Sequence, residues 1–229
     1  MRRTRMLRVF SSVLAAFIIG LTVLSCMGTP EKSPETEGAD SATARAPASA
    51  EAVKPLGKGD MAPVAPVYTT AGEEVSLGKI YENGPTVLIF YRGGWCPYCS
   101  KHLADLRNVE ARLEEEGFQI IALSPDRPEL LSSATEQHDY GYQLMSDFTA
   151  DAAVAFGLAF RVPEKTLARY RSHGLDLTAR SGRRHKILPV PAAYVINRQG
   201  MIRFAYWNPD YKERIDARKL LQAAREAVR

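Results

Sequence analysis

Thr86-Val-Leu-Ile-Phe-Tyr-Arg-Gly-Gly-Trp-Cys-Pro-Tyr-Cys-Ser100 is the stretch around which the rest of this chain is organised. Its first part, Thr86 to Tyr91, is an unbroken run of β-branched, aliphatic and aromatic residues, which is typical of a central strand covered on both faces. Gly93 and Gly94 end that run. Apolar residues then recur at spacings of three and four, as on one face of a helix. These residues are Leu103, Leu106, Val109 and Leu113.

Two cysteines, Cys96 and Cys99, fall where this helix begins. The unpaired amides of a first helical turn and the positive end of the helix dipole favour a thiolate, which is the reactive form of cysteine. Pro97 suits the first turn because its missing N–H costs nothing there. The two-residue spacer brings both sulfurs within reach of one disulfide. The pattern therefore predicts a reversible dithiol/disulfide pair.

The composition is that of one globular domain with extensions: 229 residues, of which 45% are hydrophobic and 24% charged. The formal net charge of +4 arises near the N-terminus, since residues 1–25 contain four arginines and no acidic residue. Without those four, the 30 Lys and Arg fall to 26, which equals the 26 Asp and Glu. A neutral mature chain gives no reason to expect a nucleic-acid partner.

The N-terminus has the composition of an export signal. Residues 1–8 are basic, Val9 to Leu24 are apolar, and Val23-Leu-Ser-Cys26 resembles a lipobox, in which the cysteine receives a lipid. We therefore predict a lipoprotein signal peptide over residues 1–25 and a protein anchored to a membrane of the cell envelope through Cys26, on the periplasmic or extracytoplasmic side. An uncleaved anchor or an ordinary signal peptide is the alternative.

Residues 26–54 are rich in Ala, Ser, Thr, Pro and Glu and contain no aromatic residue, so we predict a disordered, lipidated tether. Residues 55–229 form the predicted folded domain. Strands alternate with helices there, and a hairpin and a basic helix follow, which predicts an α/β fold with a mixed central sheet flanked by helices. Residues 157–177 show no clear pattern, and the run from Arg180 to Lys186 is expected to be a solvated loop. The cysteines lie at the carboxyl end of a strand, where open α/β sheets place their sites.

Five ordered segments within residues 57–229 resemble one known family. They are Gly59-Asp-Met-Ala-Pro63, Phe90-Tyr-Arg-Gly-Gly-Trp-Cys-Pro-Tyr-Cys99, Phe156-Gly-Leu-Ala-Phe-Arg161, Leu188-Pro-Val-Pro-Ala-Ala-Tyr-Val-Ile196 and Asp210-Tyr211. The sequence is similar to the peroxiredoxin-like branch of the alkyl hydroperoxide reductase/thiol-specific antioxidant (AhpC/TSA) family, in the thioredoxin-like superfamily.

This resemblance implies a thioredoxin-like fold and a thiol-dependent oxidoreductase that needs no metal or organic cofactor. The substrate would be a disulfide-bearing protein or a hydroperoxide, and a thiol electron donor, such as a thioredoxin-like or membrane reductase, would keep the enzyme reduced. The resemblance also implies that Pro191 is the cis-proline facing the cysteines. The backbone of Val190 would then be free to pair with a substrate chain.

The chain departs from true peroxiredoxins at three supporting positions. It has Arg92 where the family has a proline, Cys96 where it has a threonine and Pro191 where it has an arginine, while Cys99 stands at the peroxidatic position. The peroxide-polarising threonine and arginine have no obvious replacement in the sequence. The buried acid of thioredoxin is also absent, since Phe90 occupies its position.

Two assignments of the cysteines stay open at this point. In thioredoxin-like exchange, Cys96 is an exposed nucleophile and Cys99 resolves the mixed disulfide. In a peroxidase, Cys99 attacks the peroxide and Cys96 condenses with the sulfenic acid. The missing threonine and arginine favour the first assignment. Arg92 is a candidate for stabilising the thiolate, and Trp95 is a candidate wall of the site.

His102, three residues after Cys99, is a weaker candidate for carrying a proton. A metal site is disfavoured, because the chain has no second CxxC motif and no His pair at ligand spacing. A non-enzymatic envelope domain with a structural disulfide is a further alternative. A reduction potential in the range of cellular thiols would exclude it, because structural disulfides resist reduction.

Overall fold

The computed structural model describes residues 42–138 and 140–227. The predicted signal peptide, Cys26 and residues 27–41 of the predicted tether lie outside the described residues. Within the described part, every helix is too short or too polar to cross a bilayer.

A seven-stranded mixed sheet forms the centre of the domain. In chain order its strands are β1 (Pro66–Tyr68), β2 (Glu74–Ser76), β3 (Thr86–Phe90), β4 (Gln119–Ser124), β5 (Gln143–Ser146), β8 (Ala192–Ile196) and β9 (Ile202–Trp207), and their spatial order is β2-β1-β5-β4-β3-β8-β9. Strands β3, β4 and β5 are parallel, whereas β8 runs antiparallel to β3 and pairs with β9. The two remaining strands, β6 (Ala159–Arg161) and β7 (Ile187–Pro189), form a separate antiparallel pair.

Seven α-helices that lie wholly within the described residues connect or cover these strands, and a short 3-10 helix spans Ala50–Ala52. The α-helices are α1 (Leu77–Asn83), α2 (Pro97–Glu115), α3 (Pro128–His138), α4 (Asp151–Ala155), α5 (Glu164–Ser172), α6 (Leu177–Ser181) and α7 (Ala217–Ala227). The predicted α/β fold with a mixed, helix-flanked sheet is confirmed. Helix α1 and the pair formed by β6 and β7 were not predicted, because their segments are too short to show a period.

Strand β3 is buried along its whole length, as its apolar run predicts. Its side chains alternate between two cores. Val87 and Ile89 pack in the core under helices α2 and α7, and Leu88 and Phe90 pack in the core on the opposite face of the sheet. Because both faces are covered, the strand end that carries the cysteines is held from two sides.

The folded domain begins upstream of residue 55. Ala46 is buried in the core, and the carbonyl oxygen of Pro47 accepts a hydrogen bond from the backbone N–H of Arg161 at 2.8 Å. A side chain on Gly157 would collide with the carbonyl of Lys54. The predicted disordered tether is therefore wrong for residues 42–54. Small side chains bury little area each, but here their backbone groups are paired with the domain.

Candidate dithiol site

The cysteine pair stands at the beginning of α2. Cys96 is the N-cap residue of that helix, Pro97 is its first residue, and Cys99 lies within the first turn. The backbone N–H of Cys99 donates to the carbonyl of Cys96 at 2.9 Å. Both cysteines are in the free thiol form. Strand, glycine turn and helix start thus place both sulfurs where the sequence predicts them.

Neither thiol is open to solvent. Cys96 is 1% exposed and Cys99 is 0% exposed. The expectation of an exposed Cys96 is therefore wrong. The helix start itself is accessible, because Gly94, Pro97 and Tyr98 are all exposed. Other side chains must cover the sulfur of Cys96.

Arg92 is the charged group next to Cys96. It follows β3, is 4% exposed, and its Nη1 donates to Cys96 Sγ at 3.7 Å. Its Nη2 donates to the hydroxyl of Tyr170, and its guanidinium carbon lies 4.0 Å from the ring centroid of Tyr211 and 4.9 Å from that of Trp95. Cation–π contacts of this kind hold a desolvated guanidinium in place. Arg92 forms none of the ion pairs observed among the described residues. Its positive charge therefore acts mainly on the sulfur of Cys96, which its Nη1 contacts.

The two thiols differ strongly in acidity. The pKa of Cys96 is lowered from 9.0 to about 6, chiefly by the hydrogen bond that it receives from the thiol of Cys99. Burial opposes this effect, and the positive charges of Arg92 and Arg214 add to it. The pKa of Cys99 is raised, because its thiol is the donor to Cys96 and is buried. The arrangement therefore favours a thiolate on Cys96 and a protonated thiol on Cys99.

A second guanidinium approaches the pair from the loop before α7. Nη2 of Arg214 lies 3.5 Å from Cys99 Sγ, and its Nη1 donates to the carbonyls of Tyr211 and Glu213, the latter at 2.8 Å. Arg92 and Arg214 thus each bring a guanidinium to one sulfur, although the sequence shows no obvious replacement for the family's arginine. No local pattern in the sequence points to Arg214, because 115 positions separate it from Cys99.

A buried carboxylate anchors the loop that carries the cysteines. Asp126 is 1% exposed and follows β4, and its Oδ2 accepts a hydrogen bond from the backbone N–H of Gly94 at 2.8 Å. Arg180 binds the same carboxylate through Nη2 at 2.6 Å and Nε at 2.9 Å. His185 is also buried, at 5% exposed. The prediction that residues 180–186 form a solvated loop is therefore wrong for Arg180 and His185.

Trp95 is half-buried against Tyr170, with their ring centroids 5.5 Å apart. Val190 and Pro191 are buried directly before β8. The N–H of Val190 donates to the carbonyl of Leu158 at 2.9 Å. The expectation that the Val190 backbone is free to pair with a substrate is therefore wrong for its N–H. The cis form of the bond before Pro191 stays a prediction.

His102 is 5% exposed, and burial lowers its pKa to about 4, so its imidazole is neutral at physiological pH. Its Nε2 has no hydrogen-bond partner among the described residues. In the same part of the chain, no group of three or more His, Cys, Asp or Glu side chains is arranged to hold a metal ion.

The fold and the paired cysteines define a thioredoxin-like protein with a dithiol site. The model of the AhpC/TSA family matches residues 58–205. The chain therefore belongs to the AhpC/TSA family, and its resemblance to the peroxiredoxin-like branch is confirmed.

Curated relatives support this membership. The chain is 31% identical over 107 residues to Peroxiredoxin Bcp of Escherichia coli, a match that covers 46% of this chain and 67% of that protein. It is 28% identical over 102 residues to a putative peroxiredoxin of Mycobacterium tuberculosis, covering 44% of this chain and 64% of the relative. The match thus spans less than two thirds of the mycobacterial protein.

Solved structures share the fold. Peroxidoxin BcpB of Mycobacterium tuberculosis superimposes with a TM-score of 0.58 and 19% identity, over 75% of this chain and 97% of that one. Reduced Prx3 of Vibrio vulnificus in complex with H2O2 gives a TM-score of 0.61 and 17% identity, over 74% and 99% of the two chains.

Proposed function

We propose that this protein is a thiol-dependent hydroperoxide reductase that cycles Cys96 and Cys99 between dithiol and disulfide, with Cys96 as the attacking thiolate. One observation carries the proposal: Cys96 Sγ receives hydrogen bonds from Arg92 and from the thiol of Cys99, and both favour its ionised form. A thiolate in contact with a guanidinium is the nucleophile that peroxide reduction requires.

The catalytic cycle has three chemical steps. The thiolate of Cys96 attacks the terminal oxygen of the hydroperoxide, the O–O bond breaks, and the departing alkoxide takes up a proton, which gives an alcohol and a sulfenic acid on Cys96. The thiol of Cys99 then attacks the sulfenic sulfur and water leaves. The sulfurs are now oxidised to the disulfide, and two thiols of an electron donor reduce it to the starting state while forming their own disulfide.

The two guanidiniums have separate roles in this scheme. Arg92, 3.7 Å from Cys96 Sγ, stabilises the attacking thiolate and the negative charge that develops on the departing oxygen. Arg214, 3.5 Å from Cys99 Sγ, stabilises the second thiolate as that sulfur gives up its proton. This is the reverse of the family's usual assignment, in which the cysteine at the position of Cys99 attacks. We infer the reversal from the raised pKa of Cys99, which keeps that thiol protonated.

Disulfide exchange with a protein is the second candidate function. The same nucleophile and the same two-residue spacing serve thioredoxin-like exchange. The 1% exposure of Cys96 favours the hydroperoxide, because a protein disulfide cannot reach a covered sulfur unless the cover opens. Trapping distinguishes the two. The Cys99→Ser variant would accumulate mixed disulfides with proteins if exchange dominates.

We further propose that the enzyme works in the cell envelope, held to the membrane by a lipid on Cys26 and supplied with electrons by a thioredoxin-like or membrane reductase. The proposal is supported by the basic and apolar N-terminal segments and by the lipobox-like sequence that ends at Cys26. Labelling with a fatty-acid analogue in a bacterial host tests it. Labelling of the wild-type protein that is lost in Cys26→Ser is the expected result, and a soluble, unlabelled wild-type protein would contradict it.

The hydroperoxide reductase is tested with the full chain carrying Cys26→Ser, so that only two thiols remain. We expect one equivalent of H2O2 to remove both thiols, to give a peptide linked through Cys96 and Cys99, and to support turnover when dithiothreitol is supplied as the electron donor. Both thiols surviving a tenfold excess of peroxide would refute the proposed activity.

A further inference from the structure

Residues 159–189, which comprise β6, α5, α6 and β7, form a small unit that we name the cover segment. It has its own apolar cluster, and the partly buried rings of Trp95 and Tyr170 pack against it. The buried members of that cluster are Val162, Leu167, Leu177 and Leu188. The cysteine-bearing loop thus contributes Trp95 to the packing of a segment that lies more than sixty positions further along the chain.

Two residues of the cover segment, Tyr170 and Arg180, fasten it to the dithiol site and to the carboxylate that supports the cysteine loop. Tyr170, on α5, accepts a hydrogen bond from the guanidinium of Arg92. Arg180, on α6, binds the buried carboxylate of Asp126, and its carbonyl accepts from the backbone N–H of Arg127 at 2.9 Å. Because Asp126 also holds the N–H of Gly94, the cover segment and the cysteine loop share one buried anion.

Tyr170 packs on two residues that border Cys96. Its ring packs on Trp95 at 5.5 Å between centroids and lies 5.9 Å from the guanidinium carbon of Arg92, which itself contacts the sulfur. Tyr170 is only half-buried, so part of the residue is open to solvent while its ring packs against Trp95. In this arrangement we expect a small molecule to reach Cys96 with less displacement of the ring than a bulky one needs.

We propose that Tyr170 determines substrate size, admitting small oxidants to Cys96 and excluding bulky ones. The inference rests on the proposed function, because it takes Cys96 as the attacking sulfur. It goes further in assigning the selectivity to a residue of the cover segment that no comparison identifies. Tyr170 is thus a specificity-determining residue in contact with Arg92, the group that stabilises the thiolate.

Two uncharged thiol probes of different size test this role in the full chain carrying Cys26→Ser. Methyl methanethiosulfonate is small, and 4,4′-dithiodipyridine is bulky. In each case the thiolate of Cys96 attacks one sulfur of the probe, a new S–S bond forms, and methanesulfinate or pyridinethiolate leaves. The reaction with each probe is stopped with acid and followed by mass spectrometry. The measured quantity is the rate constant with the bulky probe divided by the rate constant with the small probe.

The variants separate the ring from its hydroxyl. We expect Tyr170→Ala to raise the ratio at least about tenfold, which corresponds to 1.4 kcal/mol of gating free energy. Tyr170→Phe keeps the ring and should leave the ratio near that of the wild type. Lys165→Ala, an exposed position on the same helix, is the matched control. Tyr170→Leu keeps an apolar contact with Trp95 and should raise the ratio as well, even if Tyr170→Ala fails to fold.

A ratio that stays constant in Tyr170→Ala or Tyr170→Leu would overturn the inference, and so would a ratio raised equally in Tyr170→Phe. The Cys96→Ser variant distinguishes a failure of the size selection from a failure of the proposed function. If Cys96→Ser abolishes the reaction with the small probe while the ratio is insensitive to Tyr170, only the size selection fails. If Cys96→Ser reacts as fast as the wild type, the proposed function itself fails.

Discussion

Replacing Arg92 by methionine removes the charge next to Cys96 while keeping an apolar stem of similar length. The lost attraction can be worked out from the 3.7 Å between Arg92 Nη1 and Cys96 Sγ. Coulomb's law gives about 1 kcal/mol with the permittivity of water and about 4.5 kcal/mol with an effective permittivity of 20. One pKa unit corresponds to about 1.4 kcal/mol, and the hydrogen bond from Cys99 lowers the pKa of Cys96 more than Arg92 does. The lower energy therefore applies, and the thiolate of Cys96 should form about one pH unit higher in the variant.

The assay is the pH dependence of alkylation by iodoacetamide, which is uncharged and reacts with thiolates. The wild-type midpoint is expected near the pKa of about 6, well below the ordinary value of 9.0, and Arg92→Met should move it upward. Arg198→Met, in an exposed turn, removes the same charge without this contact and should leave the midpoint in place. An unchanged midpoint in Arg92→Met would refute the role given to this guanidinium.

Three further predictions concern the surroundings of the sulfurs. Arg180→Met leaves the buried carboxylate of Asp126 without its cation and should lower the free energy of unfolding by about 2–3 kcal/mol in urea titrations. This loss is small for a broken buried ion pair because Arg180 is partly exposed. Adding Asp126→Asn to Arg180→Met should recover part of the loss, and a further additive loss would contradict the pairing. Gly93 has a φ of +137°, and a Cβ there would overlap the indole of Trp95. Gly93→Ala should therefore lower the free energy of unfolding by about 1–3 kcal/mol and shift the tryptophan fluorescence. An unchanged melting curve would contradict this. Burial lowers the pKa of His102 from 6.5 to about 4 in the folded state, so between these values a proton binds to the unfolded chain but not to the folded one. The free energy of unfolding should therefore decrease by up to about 3 kcal/mol as the pH is lowered from 6.5 to about 4. His102→Phe should flatten this pH profile, and an equally steep profile would count against a neutral imidazole.

The local features of the site could be predicted from the sequence, because short-range patterns determine them. The run from Thr86 to Tyr91 is apolar on both faces, which required a central strand, and the spacing of Cys96, Pro97 and Cys99 required a helix start. These elements need little information from the rest of the chain. The mixed sheet followed from the order of strand and helix patterns.

The groups that act on the sulfurs could not be predicted, because tertiary contacts bring them together. Arg214 lies 115 positions from Cys99, and Tyr170 lies 78 positions from Arg92. Arg180 was misjudged for a related reason. A run of charged residues is typical of a solvated loop, and only the buried carboxylate of a residue 54 positions earlier draws this arginine inward.

Residues 42–54 were misjudged for a different reason. Their small and polar side chains offer little apolar area, which is the composition of a flexible linker. Backbone hydrogen bonds such as the one from Arg161 to Pro47 nevertheless hold this stretch on the domain. A backbone hydrogen bond was missed at Val190 as well. Its N–H donates to the carbonyl of Leu158, which lies in a segment whose fold the sequence does not reveal.

The central claim is that Cys96, activated by Arg92 and by the thiol of Cys99, is the sulfur that attacks the oxidant. The most direct measurement is dimedone trapping of sulfenic acid after H2O2 is added to Cys99→Ser and to Cys96→Ser, both in the full chain carrying Cys26→Ser. The account predicts rapid trapping on Cys96 in Cys99→Ser, where Arg92 still contacts the sulfur, and at least about tenfold slower trapping on Cys99 in Cys96→Ser, because Cys99 is fully buried and burial raises the pKa of its thiol even without Cys96. Faster trapping on Cys99 would contradict it.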